Sequence, residues 1–232
     1  MSATVPSPAA RTRARARSAS AARPLRRTHA QRREEAEQRL LDAALSIVAR
    51  RGAVRMTLAE VGEAAGYSRG LPAHRFGSKA GLVHALAGYI GARFGQQREQ
   101  GPALAPGLES IVGNIHFYFS RARAGDKRGE PWTATRALLV MMTESLMEAP
   151  TSALRAEIVG YNRKALAWFE HHIRTGIQRG EIAPGTDAAV TAVILLGAMR
   201  GAMQQWLLDD RIKLLTVRDR LLQITKQVLA AS

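Results

Sequence analysis

Apolar residues recur at three- and four-residue spacing along most of the chain, which is the spacing of one helical face. The first clear run covers residues 31–51 and ends at Gly52, a residue type that commonly terminates helices. Its apolar positions are Leu40, Leu41, Ala44, Leu45 and Val48. We therefore predict a helix over 31–51 that buries this face against later segments. Three arginines remain outside, namely Arg32, Arg33 and Arg39.

The next stretch, residues 57–79, predicts two short helices joined by a tight turn. Thr57 and Glu60 form a T-x-x-E capping box at the start of the first helix, and Gly66 supplies the left-handed residue that ends it. Its apolar face consists of Leu58, Val61 and Ala65. We predict that this face packs against the helix over 31–51, in a small core completed by Phe76.

The second short helix is predicted from Arg69 to about Arg75. Ser68 is placed to cap it, and Ser78 is placed to cap the helix that follows. Two helices joined by a glycine-containing turn form a helix-turn-helix pattern, whose second helix can enter a DNA major groove. Helical hairpins with glycine turns also occur in other all-α proteins, so the spacing alone leaves DNA binding open.

The residue types around this turn are more specific than the spacing of the two helices. The string T-x-x-x-V-x-x-x-A-G-Y-S-x-G-x-x-x-x-x-F-G-S-K resembles the DNA-binding segment of the TetR (tetracycline-repressor-like) family of bacterial transcriptional regulators. The residues that carry it are Thr57, Val61, Ala65, Gly66, Ser68, Gly70, Phe76, Ser78 and Lys79. It covers roughly residues 34–94, and the rest of the chain matches only in length and helical rhythm. Family members often have Leu-Tyr-Tyr-His-Phe where this chain has Pro-Ala-His-Arg-Phe at 72–76, so the usual tyrosine contacts are missing.

This resemblance implies an all-α protein of about nine helices. An N-terminal three-helix DNA-binding domain would cover residues 34–94, with its helix-turn-helix motif at 57–76. A larger helical domain for ligand binding and dimerisation would cover residues 95–232. The implied function is that of a homodimeric repressor, released from a palindromic DNA operator by an unidentified small molecule. Such a protein would act in the bacterial cytoplasm, at the nucleoid, and would need no cofactor.

The second helix of the motif is expected to read DNA. Arg69 and Arg75 can each donate two hydrogen bonds to guanine, and the Pro72 ring can contact a thymine methyl. His74 can bond to a base or a phosphate, although stacking within the domain is an equal alternative. Three residues at helix starts would, by resemblance, position phosphates: Thr57, Ser68 and Lys79. The candidate set is completed by Gly70 and Ala73.

Six more helices are predicted beyond the motif, and the first of them is rich in glycine. It starts at Lys79 and contains Gly81, Gly88, Gly91 and Gly95. These glycines either let the helix bend or let another helix approach closely. The other five helices are predicted at 108–124, 132–148, 151–179, 187–208 and 212–230.

Residues 190–208 are apolar on nearly every side. A helix that is hydrophobic all round is buried all round, which predicts the protein core on one side and a second copy of the chain on the other. The resemblance likewise implies a dimer interface made of two helices from each chain. The candidate interface residues are Ile194, Gly197, Ala198, Gly201, Leu221 and Val228. A monomer that wraps this helix completely is the alternative.

The resemblance also implies a small-molecule pocket in the second domain. The candidates are large apolar or aromatic residues and one histidine: Phe117, Trp132, Met141, Met142, Tyr161, Trp168 and His172. A pocket of this kind favours a hydrophobic or aromatic ligand. The same residue types also fill ordinary cores, so this alternative stays open.

The net charge of +15 is unevenly distributed. Residues 1–33 hold nine arginines and no acidic residue, which favours an anionic partner, nucleic acid rather than a membrane. Residues 1–30 lack apolar periodicity, so we predict a disordered tail that either contacts DNA or is merely solvated. The apolar runs are too short to predict a membrane span.

Catalytic and metal-binding patterns are missing from the sequence. It contains no cysteine, no H-E-x-x-H, no G-x-S-x-G and no P-loop. His171 and His172 are adjacent and point to different faces, so they do not form an i, i+4 metal pair. We therefore predict no enzyme, no metal site and no cofactor. Two alternatives to a specific regulator stay open: an architectural protein that binds nucleic acid nonspecifically, and a helical protein-interaction module that has lost DNA reading.

Overall fold

The computed structural model describes residues 28–99, 103–120 and 130–231. Within these ranges the chain forms nine α-helices, and its only extended pairing is an isolated bridge between Ile182 and Ala230. In chain order the helices are α1 (His29–Arg51), α2 (Leu58–Ala64), α3 (Leu71–Phe76), α4 (Lys79–Glu99), α5 (Leu108–Ser120), α6 (Glu130–Met147), α7 (Ala153–Gln178), α8 (Ala188–Leu208) and α9 (Leu214–Leu229). The prediction of an all-α fold is confirmed.

α1 begins two residues earlier than the apolar spacing predicted. The Thr28 hydroxyl accepts a hydrogen bond from the Gln31 N–H at 3.2 Å, and the Gln31 side chain accepts one from the Thr28 N–H at 2.9 Å. This reciprocal capping box fixes a first turn that buries no apolar side chain. Of the predicted tail, residues 1–27 lie outside the described residues, and residues 28–30 form this cap and the first helical positions.

The local signals around α2 and α4 are confirmed. Thr57 and Glu60 form the predicted capping box at the start of α2, and Gly66 adopts a left-handed φ of 77° after it. Ser78 caps α4, since its hydroxyl oxygen accepts a hydrogen bond from the Gly81 N–H at 3.1 Å. A side chain at Gly81 would lie 2.1 Å from the last carbonyl oxygen of α3. This glycine therefore permits α4 to start directly against α3.

The predicted start of α3 is wrong by two residues. The helix begins at Leu71 rather than at Arg69, and no side chain caps it. The Leu71 N–H donates instead to the Ser68 backbone carbonyl at 3.1 Å. This tight turn occupies the donor that a Ser68 side-chain cap would need.

The first three helices enclose one apolar cluster together with α4. The predicted core residues of the helix-turn-helix unit all belong to it or pack against it: Leu45, Val48, Leu58, Val61 and Phe76. The cluster continues into α6 and α7 through Ala137, Met141 and Leu154. The three-helix unit therefore shares its core with later helices, and a domain boundary near residue 94 remains a prediction.

A second apolar cluster joins α5, α7, α8 and α9. The ring centroids of Trp132 and Trp206 lie 4.8 Å apart within it, which links α6 to α8. Leu195, Met199 and Met203 place one side of α8 in this cluster. The opposite side of α8 stays exposed, so the chain's own core covers only half of this apolar helix.

Leu45→Ala should lower the free energy of unfolding by about 2–5 kcal/mol, because truncation of a buried leucine leaves a cavity. Leu45 is 3% exposed, whereas Leu146 is 76% exposed. Leu146→Ala is therefore the matched control and should change stability by less than about 0.5 kcal/mol. Urea denaturation followed by circular dichroism measures both. Equal losses for the two variants would contradict the placement of Leu45 in the core.

Candidate functional site

The outer surface of α3 and of the turn before it carries side chains that are either small or polar. Four predicted DNA-contacting residues share this exposed surface: Arg69, Gly70, Ala73 and His74. Arg69 Nε lies 2.9 Å from Glu63 Oε1, and the arginine side chain remains 72% exposed. A surface ion pair of this kind is weak. The guanidinium can therefore exchange Glu63 for a stronger external acceptor.

Two residues predicted to read DNA face the protein interior instead. Pro72 is buried, and a side chain at Gly62 would lie 3.2 Å from its ring, so the proline packs against α2. Arg75 is only 22% exposed, forms an ion pair with Glu37 of α1, and donates to the Arg33 carbonyl at 3.5 Å. Both residues lie on the inner side of α3, because positions three apart share a helical face. Pro72 therefore does not present its ring for a thymine contact, and Arg75 fixes α3 to α1.

The predicted phosphate contacts are exposed at or near helix starts: Thr57, Ser68 and Lys79. The Thr57 hydroxyl serves the α2 cap, since it accepts from the Glu60 N–H at 3.3 Å and donates to Glu60 Oε2 at 3.0 Å. Hydrogen bonds from Arg51 and Thr57 lower the pKa of the Glu60 carboxyl. The Lys79 ammonium donates to the Val54 carbonyl. A phosphate at Thr57 or Lys79 would therefore compete with bonds that hold the segment between α1 and α2.

A carboxylate of α6 also holds the turn between α1 and α2. Glu144 accepts a hydrogen bond from the Ala53 N–H at 2.7 Å and a longer one from the Val54 N–H at 3.4 Å. Gly52 has a φ of 87°, and a side chain there would lie 1.9 Å from Glu144 Oε1. Sequence reasoning missed this contact, because Ala53 and Glu144 are 91 positions apart and no local pattern joins them.

A cavity of about 600 Å³ lies among α4, α5, α6, α7 and α8, and we call it the α4–α8 cavity. Six aromatic side chains line it: Phe94, Phe117, Tyr118, Tyr161, Trp168 and Phe169. Three of the seven predicted pocket residues are therefore in its wall, namely Phe117, Tyr161 and Trp168. Gly88 and Gly91 of α4 also line it, so two of the predicted helix glycines leave part of this space open.

The other four predicted pocket residues lie outside the cavity wall. Trp132 packs inside the second apolar cluster, and Met141 is fully buried in the first. Met142 is partly buried against the first cluster. His172 Nδ1 accepts a hydrogen bond from the Gly107 N–H at 3.2 Å, which ties the start of α5 to α7. Aromatic and methionine residues have the same sequence pattern in a core and in a cavity wall, so spacing does not separate the two.

Polar residues that the sequence did not single out occur in two parts of the cavity wall. His84 Nδ1 lies 2.6 Å from Glu157 Oε1, and the histidine is 71% exposed, which places this pair at the outer edge. Arg200 of α8 is partly buried and donates to the Asn162 side-chain oxygen. Burial lowers the pKa of the Arg200 guanidinium and raises the pKa of the nearby Tyr118 hydroxyl. The cavity is thus mainly aromatic and apolar, with a shielded cation on one side.

Exposed apolar side chains run along α8 and α9, and we call this surface the α8–α9 stripe. Its large members are Val190, Val193, Ile194, Val217, Ile224 and Val228, of which Ile194 is 62% and Val228 70% exposed. None of the six predicted interface residues is fully buried: Ile194, Gly197, Ala198, Gly201, Leu221 and Val228. Large exposed apolar patches are often interaction sites, so the α8–α9 stripe is a candidate interface.

Neither a membrane span nor a metal site is found in the part of the chain that the structure describes. None of the helices there is long and apolar enough to cross a bilayer. The same residues contain no group of three or more His, Asp or Glu side chains placed to hold a metal ion.

Comparisons with known proteins agree with the fold. Residues 40–86 match the family model described as bacterial regulatory proteins, tetR family. The HTH-type transcriptional regulator TtgR of Pseudomonas putida is 26% identical in an alignment 202 residues long that covers 78% of this chain and 85% of TtgR. A TetR transcriptional regulator from Chloroflexus aurantiacus has a TM-score of 0.72 at 21% identity, covering 87% of this chain and 99% of that one. A protein from Saccharomonospora viridis, described as a transcriptional regulator in complex with choline, has a TM-score of 0.70 at 21% identity, covering 86% and 100%.

Arg75→Ala should lower the free energy of unfolding by about 1 kcal/mol, because it removes a partly shielded ion pair that joins α3 to α1. Arg69→Ala is the matched control from the same short segment and should change it by less than about 0.5 kcal/mol. Urea denaturation of both variants measures the difference. A larger loss for Arg69→Ala would contradict the assigned roles of the two arginines.

Proposed function

Because the chain belongs to the TetR family of bacterial regulatory proteins, we propose that it is a homodimeric repressor released from a palindromic operator by a small molecule. The ligand binds in the α4–α8 cavity, and α3 reads the DNA. The protein acts by binding rather than by catalysis. Its place of action is the bacterial cytoplasm, at the nucleoid.

The path of α4 supports this proposal more than any other observation. The helix starts at Lys79, directly after α3, and its later residues Gly88, Gly91 and Phe94 line the cavity. A molecule in the cavity therefore touches α4. Only Gly77 and Ser78 separate α4 from the DNA-reading helix α3. The Glu144 contact adds a second connection, from α6 to the turn before α2. A ligand acts through these connections only if it binds two arrangements of them with different affinity.

The DNA-reading surface in this proposal is smaller than the sequence predicted. Arg69 reads a base, with Ala73 and His74 beside it on the exposed side of α3. Ser68 and Lys79 position phosphates at its two ends. Arg75 contributes indirectly, because its ion pair with Glu37 holds α3 against α1.

Dimerisation through the α8–α9 stripe supplies the symmetry that a palindrome requires. In a symmetric dimer the same residues of both chains meet, and small residues such as Gly197 and Gly201 permit a close approach. The two α3 helices must then lie about 34–36 Å apart to reach successive major grooves. A ligand that changes this separation weakens binding to both half-sites together.

A DNA site selected from random sequence tests the proposal, and Arg69→Ala tests the reading residue. The variant should lose about 1–3 kcal/mol of binding free energy on the selected palindrome and less on random DNA, because a bidentate guanine contact is specific to the site. Fluorescence anisotropy titrations at one fixed salt concentration measure both affinities. Lys79→Ala is the control, since loss of a phosphate contact weakens both DNAs about equally. Equal weakening by Arg69→Ala would contradict base reading.

Ile194→Asp should convert the dimer to a monomer, because it places an unpaired carboxylate in the apolar α8–α9 stripe. Sedimentation equilibrium measures the mass, and the same sample should lose binding to the full palindrome. Leu146→Asp is the control, since Leu146 is exposed on α6, outside the stripe. A dimer that persists in Ile194→Asp would place the interface elsewhere.

A further inference from the structure

We propose that the α4–α8 cavity selects an aromatic monocarboxylate, whose carboxylate pairs with Arg200 and whose ring packs among the aromatic side chains. This inference rests on the proposed function only in treating the cavity as the effector site.

Among the described residues, Arg200 is partly buried without a carboxylate partner, as is Arg155, whose guanidinium donates to the Glu148 backbone carbonyl at 3.3 Å. The hydrogen-bond partner of Arg200 is the neutral amide of Asn162. Three other shielded arginines each pair with a carboxylate in the structure: Arg75 with Glu37, Arg93 with Asp42, and Arg218 with Asp219. A guanidinium stays charged in proteins, so partial burial without an anion is unfavourable. An anionic ligand would remove this cost.

The residues around Arg200 can complete a carboxylate site. Tyr118 and Tyr161 line the same cavity as Arg200. Burial raises the pKa of Tyr118, so its hydroxyl keeps its proton and remains a donor at neutral pH. An arginine can bind both oxygens of a carboxylate at once. The Arg200 guanidinium in the shielded part of the wall can therefore neutralise one carboxylate.

The other charged residues of the wall do not oppose an anion. Glu157 is the acidic residue among them, and it is paired with His84 at 2.6 Å. Lys164 also lines the cavity and is exposed, so it adds positive charge at the edge. Charge therefore favours an anion over the cationic choline found in the Saccharomonospora viridis relative.

The remaining wall selects a flat apolar body. Six aromatic side chains and aliphatic residues such as Leu196 and Met199 surround the space. Aromatic rings favour stacked or edge-to-face contacts with another ring. The volume of about 600 Å³ falls within the range of small-molecule sites.

Isothermal titration calorimetry on the full-length protein without DNA tests this inference. Three aromatic acids and their matching amides are each titrated into the protein. The pairs are benzoate with benzamide, 2-naphthoate with 2-naphthamide, and biphenyl-4-carboxylate with its amide. At least one acid should bind about 10- to 100-fold more tightly than its amide, which is the usual contribution of a hydrogen bond between charged groups. Arg200→Gln should abolish this preference while leaving the amide affinity unchanged. Arg200→Lys should keep part of it, because the charge remains.

Arg163→Gln is the control, since Arg163 is exposed on α7 outside the cavity wall and its loss should leave the preference intact. The inference is overturned if no acid binds more tightly than its amide, or if the preference survives in a folded Arg200→Gln protein. Selection of DNA sites is a separate readout. A protein that selects a palindrome but shows no acid preference refutes only the ligand class, whereas acid preference without a selected palindrome refutes the repressor proposal.

Discussion

A buried apolar stripe on α4 joins the helix-turn-helix unit to the cavity. Leu82, Leu86 and Ile90 have no exposed surface, and all three belong to the cluster shared by α1, α6 and α7. Burial of a large aliphatic side chain contributes about 1.5–3 kcal/mol, and a typical protein is stable by only about 5–15 kcal/mol. α4 therefore stays packed against α1, α6 and α7 while the protein remains folded. A ligand is expected to act by shifting packed helices against one another.

The polar contacts around the helix-turn-helix unit define its orientation. Glu144 reaches from α6 to the turn after α1, and the Arg75–Glu37 pair fixes α3 to α1. Both use charged groups with specific geometry, so a small movement of α6 or α1 changes where α3 points. The same geometry explains why Arg75 does not belong to the outer surface. We therefore expect DNA recognition to depend also on residues that do not themselves touch DNA.

Features that depend on neighbours in sequence could be predicted from the chain alone. The capping box of Thr57 and Glu60 and the glycine ends at Gly52 and Gly66 were predicted correctly, because their partners lie within a few residues. The inward side of α3 was not predicted. Pro72 packs on Gly62, and Arg75 pairs with a residue 38 positions away, so the sequence near α3 gives no sign of either contact.

The cavity shows the same limit for apolar residues. Phe117 and Trp132 were equal candidates in the sequence, yet the first lines the cavity and the second fills a core. Their difference comes from how α5 and α6 pack, which no helical spacing specifies. The glycines of α4 illustrate the point again. Gly81 is needed for close contact with α3, whereas Gly88 leaves open space in the cavity wall.

The distance between the two helix-turn-helix units of a dimer tests whether the contents of the cavity set their separation through α4. The chain has no cysteine, so a spin label at Ala64→Cys, exposed on α2, gives one distance per dimer. Gly88→Trp is designed to fill part of the cavity without a ligand, because Gly88 lines the cavity and a Cβ atom there meets no other atom within 4 Å. If the cavity contents act through α4, double electron–electron resonance should find a different label distance when Gly88→Trp is added. The same distance distribution in two equally folded dimers would contradict this role of the cavity.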